Sequence, residues 1–122
     1  MKNLPSAEDI RYFESQIAYW QVVLGLQGWR FERSNKTTSA MADVSVDYPA
    51  KIAVYRVGNF GSALVNEHSL STTALHECLH VFLHDLIRTA QNKPTEEELD
   101  AAEHQVINLL EKLLYDWKTK NI

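Results

Sequence analysis

The sequence predicts an α+β fold in which helices cover a small sheet that contains an antiparallel pair of strands. Three observations predict it. Apolar residues recur at helical spacing near the N-terminus, polar and apolar residues alternate between residues 29 and 57, and two long segments with helical periodicity follow. The chain has 122 residues, 45% of them hydrophobic, which suits a single domain over residues 1–122.

The first element is predicted to be a helix from Ser6 to about Leu26. Ser6 and Asp9 have the spacing of a capping box, in which each side chain accepts a hydrogen bond from the other residue's backbone. Gly25 and Gly28 are expected to end the helix. The residues predicted to form its buried stripe are Phe13, Ile17, Trp20 and Leu24.

Three short strands are predicted next, in the segments WRFER, MADVSVD and KIAVYRV. The third segment is the most continuously apolar, so we expect it to be the best covered. Asp47, Tyr48 and Pro49 are typical of a turn, which makes the last two strands an antiparallel hairpin. Residues 58–71 include two glycines and show no clear periodicity. They predict a long connection, of the kind that often carries function.

Two helices are predicted for the rest of the chain. The first begins near residues 71–73 and runs to about Thr89, after which the segment QNKP interrupts it. The second begins with a capping box formed by Thr95 and Glu98 and runs to about Lys118.

Composition and charge exclude several classes of function. The net charge is −4 and no segment concentrates Lys and Arg, so the sequence shows no nucleic-acid footprint. No apolar run is long enough to span a bilayer, and the N-terminus lacks the apolar core of a signal peptide. The only cysteine, Cys78, excludes an internal disulfide and suits a reducing compartment. We therefore expect a cytoplasmic protein with no nucleic-acid or membrane partner.

The segment HECLHVFLH, residues 76–84, carries the strongest functional signal. His76-Glu77-x-x-His80 is an HExxH motif within a predicted helix, where residues four apart lie on one face and can bind one ion. Glu77 projects about 60–100° away from the two imidazoles, which suits a general base rather than a ligand. The pattern predicts zinc as cofactor and a water molecule that the metal activates. The plain alternative is two surface histidines in contact across one helical turn.

Two neighbours of the motif are not predicted to bind the metal. His84 follows His76 by eight residues, which places it about 12 Å farther along the helix axis. One ion cannot span that distance while it also binds His80. Cys78 lies about 160° around the helix from His80 and is expected to be a small core or edge residue.

A catalytic zinc ion needs a third protein ligand, and the last helix offers Glu103 and His104. The residues predicted to form the buried face of that helix are Leu99, Val106, Leu110, Leu113, Leu114 and Trp117. Glu103 lies within about 40° of the centre of this face, whereas His104 lies about 140° away. Because an unpaired carboxylate is costly to bury, we expect Glu103 to be the ligand. The plain alternative is that Glu103 lies at the margin of this face and bends outward or pairs with a lysine. His104 is the alternative, and His68 is a more distant candidate.

These features together resemble small metallopeptidase domains of the ImmA/IrrE kind and short metallopeptidase-like proteins encoded by phages. The shared segments are LGLQGW, KIAVYRV, ALHECLHVF and EHQVINLL, of which only HExxH is specific. The resemblance implies a zincin-like fold and a zinc-dependent peptidase of the gluzincin type. It implies His76, His80 and Glu103 as zinc ligands and Glu77 as the general base.

The resemblance also implies a protein or peptide substrate that pairs with an edge strand. Residues 42–46 and 51–57 are the candidate strands, and the 58–71 connection would border the cleft. The Glu-Ala-Asn run common around the third ligand in the family appears here as Glu103-His104-Gln105. SprT-like peptidases use a third histidine, a pattern that would favour His104.

Two other functions are compatible with the sequence. One is a metal-stabilised regulatory or binding module with little or no proteolytic turnover. The other is an interaction domain whose histidines are coincidental. If the protein is a peptidase, the candidates for a donor to the developing oxyanion are Tyr48, Tyr55 and His68.

Overall fold

The computed structural model describes residues 3–120 of the chain. Within that range it contains three helices and one three-stranded sheet, and none of these helices is long and apolar enough to cross a membrane. The bounds are α1 Ala7–Val23, β1 Arg30–Arg33, β2 Ala42–Asp47, β3 Ile52–Val57, α2 Glu67–Gln91 and α3 Glu96–Lys120. The α+β class and the three predicted strands are confirmed.

The chain divides between Phe82 and Leu83 into two compact units, and this boundary lies inside α2.

Helix α1 begins where the sequence predicts. The Ser6 hydroxyl accepts a hydrogen bond from the Asp9 N–H at 3.1 Å, and the Asp9 carboxylate accepts one from the Ser6 N–H at 2.9 Å. These bonds satisfy two of the N–H groups that a helix start leaves without partners. The helix is capped at its other end by Leu24, and Gly25 follows with a φ of +69°. Glycine adopts this left-handed conformation without steric cost.

The core of the first unit forms around α1 and the sheet. The predicted buried stripe is confirmed at Phe13, Ile17 and Leu24, which are 0%, 2% and 3% exposed. The Phe13 ring lies 5.8 Å from the ring of Tyr55 on β3. Trp20 is half-buried, and its indole N–H donates to a serine hydroxyl of α2 at 3.2 Å. The buried residues that α2 adds are Leu70, Ala74, Glu77, Cys78 and Val81.

Strand β3 lies at the centre of the sheet, whose order is β1-β3-β2. It pairs in parallel with β1 and antiparallel with β2, so the sheet is mixed and the predicted hairpin is confirmed. Ala53 and Tyr55 of β3 are 0% and 4% exposed, as expected for a strand that is paired on both sides. Among the strands within residues 3–120, β2 pairs with β3 alone and lies at one edge of the sheet.

The segment 37–41 is attached to the hairpin by a cluster of polar contacts. Arg56 donates from Nε to the Asp43 carboxylate at 2.8 Å, makes a second, shorter contact with it, and donates from Nη1 to the Thr37 carbonyl at 3.1 Å. The Thr38 hydroxyl donates to the same carboxylate at 2.6 Å. The bond from Arg56 holds the pKa of Asp43 below its usual value. These bonds fix the segment relative to β2 and β3.

Gly58 is a position at which we expect a side chain to be costly. Its N–H donates to the Met41 carbonyl at 2.8 Å, and a Cβ on it would lie 2.1 Å from the carbonyl oxygen of Ala40. Gly58→Ala should therefore lower the free energy of unfolding by about 1–3 kcal/mol, measured by urea denaturation. Gly28→Ala is the control, because a Cβ there would meet nothing within 4 Å. Equal stability losses in the two variants would contradict this expectation.

Helix α2 begins earlier than the sequence predicts, at Glu67 rather than near residue 71. Asn66 caps it. The Asn66 side-chain oxygen accepts a hydrogen bond from the Ser69 N–H at 2.8 Å, and the Ser69 hydroxyl accepts one from the Asn66 N–H at 3.0 Å. The predicted 58–71 connection therefore ends at residue 66, and His68 is an exposed residue of the first helical turn rather than of a loop.

The second unit contains the end of α2 and the whole of α3. The capping box that starts α3 is confirmed, since Thr95 and Glu98 exchange two hydrogen bonds of 3.1 Å. The prediction that one face of α3 is buried is wrong. Leu110 and Leu114 are 49% and 65% exposed, and Ala102 is the one buried residue of this helix. Helical periodicity identifies an apolar face but does not show what covers it.

Candidate metal centre and cleft

The HExxH motif occupies the middle of α2 and brings two imidazoles together. His76 and His80 are exposed, and their Nε2 atoms lie 3.2 Å apart. Their rings stand edge to face at 84°, with centroids 4.8 Å apart. Two nitrogen ligands of a tetrahedral zinc ion, each about 2.0–2.1 Å from the metal, are separated by about 3.3 Å. The pair therefore has the spacing of two ligands of one ion, which is also the spacing of two hydrogen-bonded neutral imidazoles.

Glu77 lies on the buried side of the same helix and is 4% exposed. Burial raises the pKa of its carboxyl, whereas the neighbouring imidazoles of His76 and His80 act in the opposite direction. A carboxylate whose pKa is raised accepts a proton more readily than a solvated one. The sequence predicted that Glu77 projects away from the histidines, but it did not indicate that the side chain is buried.

A cleft of about 360 Å³ lies beside the motif, within the first unit. One wall is the start of β2 and the residue before it, and the other is the stretch of α2 that leads into the motif. The lining residues are Met41, Ala42, Thr72, Thr73, His76 and Glu77. One imidazole and the buried carboxylate therefore face a space that a ligand can enter.

Three of the cleft residues, Met41, Thr72 and Thr73, were not predicted from the sequence to be functional. The two threonines each stand four residues before a motif residue, so helical spacing could have indicated them. No signal in the sequence marks Met41, because its place depends on the pairing of β2 with β3.

Strand β2 is the edge strand that borders the cleft. The alternative that residues 51–57 accept a substrate strand is wrong, because β3 is paired on both sides. Met41 and Gly58 face each other across the ladder and are joined by a hydrogen bond of 2.8 Å. Since hydrogen-bonded and non-hydrogen-bonded pairs alternate in an antiparallel ladder, every second residue of β2 turns its N–H and C=O to the free edge. These residues are Ala42, Val44 and Val46.

None of the three candidate oxyanion donors lines the cleft. Tyr55 lies in the core against Phe13, and burial raises the pKa of its hydroxyl to about 12. The Tyr48 ring packs edge to face with Trp29 at 6.2 Å. His68 is exposed in the first turn of α2. The structure therefore gives no support to a role for these side chains in the cleft.

Cys78 is a core residue, as the sequence predicts. It is 0% exposed, its sulfur lies 3.8 Å from the Ile17 carbonyl oxygen, and burial raises the pKa of its thiol to about 12. A thiol in this state is a poor metal ligand, because the thiolate is the form that binds metal. His84 lies one turn beyond His80 and is half-buried.

Glu103 and His104, the two candidates for a third ligand, lie on α3 in the second unit, and both are exposed. Glu103 was preferred from the sequence because it was expected to lie on a buried face. Since both residues are exposed, burial does not distinguish Glu103 from His104. His104 Nδ1 lies 2.7 Å from the Asp100 carbonyl oxygen, and this bond raises the pKa of the imidazole. Among residues 3–120, no group of three or more His, Cys, Asp or Glu side chains is placed to hold a metal ion. Within the first unit, the structure brings His76 and His80 together.

Comparisons of the chain with protein-family models, with curated proteins and with solved structures gave no match. The function therefore has to be inferred from the residues and geometry of the chain itself.

Proposed function

We propose that this protein is a zinc-dependent peptidase with a zincin-like fold. His76 and His80 would hold the ion, with Glu103 as the third protein ligand and His104 as its alternative. The observation that carries the proposal is the 3.2 Å separation of the two Nε2 atoms at the side of a cleft that a buried glutamate lines. A cytoplasmic location is part of the proposal, because the one cysteine of the sequence is a free, buried thiol.

Glu77 is the group that would move a proton in this reaction. A bound zinc ion would supply Lewis-acid activation of water and of the substrate carbonyl. Glu77 would take the proton that water loses when it attacks the carbonyl carbon, and would deliver it to the nitrogen of the leaving amine. Burial of Glu77 supports both steps, because it limits the orientations of the carboxylate and keeps bulk water from exchanging with the proton.

The free edge of β2 supports an extended peptide as the substrate. The N–H and C=O groups of β2 that face away from β3 recur every two residues, the period at which the backbone of an added strand would pair. Ala42 belongs both to this edge and to the cleft lining, together with His76 and Glu77. A peptide paired with the edge would therefore run past the residues proposed to act on it. An edge strand beside an HExxH helix is also the arrangement by which the resembled zincins bind substrate.

A cleavage assay tests the proposal. The zinc-loaded protein is incubated with a mixed peptide library, and products are identified by mass spectrometry with and without a chelator. We expect cleavage by the wild type, loss of cleavage on chelation and in His80→Ala, and retention in His84→Ala. His84→Ala is the matched control, because it removes a histidine of the same helix that is not proposed to bind the ion. Cleavage that survives both chelation and His80→Ala would refute the proposal, whereas zinc binding without cleavage would favour the regulatory module.

A further inference from the structure

The cleft has walls that the proposed chemistry does not use. Met41 and Ala42 form one side, and Thr72 and Thr73 form part of the other. Their side chains present a thioether and methyl groups, together with two hydroxyls. Met41 is half-buried and directly precedes β2, so it lies at the start of the edge proposed to bind substrate. The cleft therefore offers mainly apolar surface next to His76 and Glu77.

The position of Met41 is fixed by its neighbours. Its carbonyl accepts the Gly58 N–H at 2.8 Å. Three residues earlier, Thr38 donates to the Asp43 carboxylate at 2.6 Å, and Arg56 bonds the same carboxylate through its guanidinium. These hydrogen bonds hold the segment to both strands of the hairpin. The wall that contains Met41 is therefore a fixed part of the cleft.

We infer that Met41 is a specificity-determining residue, and that the cleft takes one apolar side chain of the substrate next to the bond that is cut. This inference rests on the proposed peptidase function and adds the class of substrate. A volume of about 360 Å³ is near the lower end of the range for ligand pockets, so it suits a single side chain with its backbone.

We expect the cleft to accept several apolar side chains rather than one particular residue. A methionine has three flexible torsions and a polarisable sulfur, so it adapts to apolar side chains of different shape. An aspartate side chain would lose the hydration of its charge against this mainly apolar lining, and that loss is costly whether or not residue 77 is charged. We expect leucine, methionine and phenylalanine to be accepted and aspartate to be rejected.

Methyl NMR tests whether the substrate side chain meets Met41. The sequence contains two methionines, Met1 and Met41, so labelling with methyl-¹³C methionine gives a simple spectrum, and Met41→Leu identifies the Met41 signal. The zinc-loaded Glu77→Gln variant is titrated with acetyl-Ala-Ala-Leu-Ala-Ala-amide and with the same peptide carrying Asp in place of Leu. We expect the Met41 signal to shift with the Leu peptide at concentrations at which the Asp peptide leaves it unchanged. An unmoved Met41 signal in the Leu titration would overturn the inference.

A change of charge on the wall tests whether Met41 selects. The wild type should cleave the Leu peptide at least about tenfold faster, in kcat/KM, than the Asp peptide. Met41→Lys should reduce this ratio by about tenfold or more, because the lysine ammonium would attract the carboxylate of the Asp peptide. Val22→Lys adds the same charge on α1 at a position that is 61% exposed and outside the cleft. Val22→Lys should leave the ratio unchanged. Met41→Leu should retain the preference for the Leu peptide, because leucine is an apolar side chain of similar size.

The two experiments separate this inference from the proposed function. A methyl shift without cleavage of any peptide would support the apolar pocket and reject the peptidase. Cleavage with a preference that Met41→Lys does not alter would reject Met41 as the selecting residue and support the peptidase. If neither a methyl shift nor cleavage were observed, the apolar pocket at Met41 and the peptidase function would both be rejected.

Discussion

Glu77→Gln is expected to abolish peptide hydrolysis while the protein keeps its zinc. The substitution preserves the shape of the side chain but removes the proton acceptor, so kcat should fall by about 10²- to 10⁴-fold. Zinc content should not change, because Glu77 is on the buried side of α2 whereas His76 and His80 are exposed. The cleavage assay and elemental analysis of the same preparation measure the two quantities together.

The control for this variant is Glu67→Gln, which makes the same substitution in the exposed first turn of α2 and should retain activity. Thermal unfolding checks the fold. Because burial disfavours the charged form of Glu77, we expect the neutral glutamine to leave Tm unchanged or to raise it. Full activity of zinc-loaded Glu77→Gln would exclude Glu77 as the general base. Loss of zinc together with activity would show that the substitution acts on the metal site.

Phe13→Ala is expected to give the largest loss of stability in the first unit. Phe13 is 0% exposed, and its ring lies 5.8 Å from the Tyr55 ring. Truncation to alanine removes buried apolar surface and leaves a cavity, which together should lower the free energy of unfolding by about 3–5 kcal/mol. The total free energy of unfolding of a small domain is only about 5–15 kcal/mol, so the variant should unfold at a much lower urea concentration than the wild type.

The matched substitution for Phe13→Ala is Val22→Ala, on the same helix at a position that is 61% exposed. Its effect on the free energy of unfolding should stay within about 0.5 kcal/mol. If Phe13→Ala unfolded at the same urea concentration as the wild type, Phe13 could not be at the centre of the core.

Local signals in the sequence predicted most of the secondary structure. Ser6 and Thr95 each begin a capping box, and such boxes are predictable because they involve residues only three apart. The strands were predictable for a similar reason, since alternation is a property of each segment alone. The start of α2 was missed because Asn66 and Ser69, which cap it, are residue types that are equally common in loops.

Some features of the candidate site could be predicted from local sequence patterns, and others could not. The approach of His76 and His80 follows from four-residue spacing on one helix. The burial of Glu77 and the place of Met41 depend on how a strand and a helix distant in sequence come together, so no local pattern predicts them. The choice of Glu103 depended on the assumption that the apolar face of α3 is buried, and helical periodicity gives no information about what that face packs against.

Zinc content of the purified protein is the most direct test of the proposed metal site. Elemental analysis after dialysis would be made on the wild type, Glu103→Ala and His104→Ala. We predict near-stoichiometric zinc in the wild type, loss of zinc in Glu103→Ala and retention in His104→Ala, whereas the reverse pattern would assign the third ligand to His104. Absence of zinc from every preparation, even after reconstitution, would contradict the proposed metal site and leave His76 and His80 as a hydrogen-bonded pair on the surface of a helix.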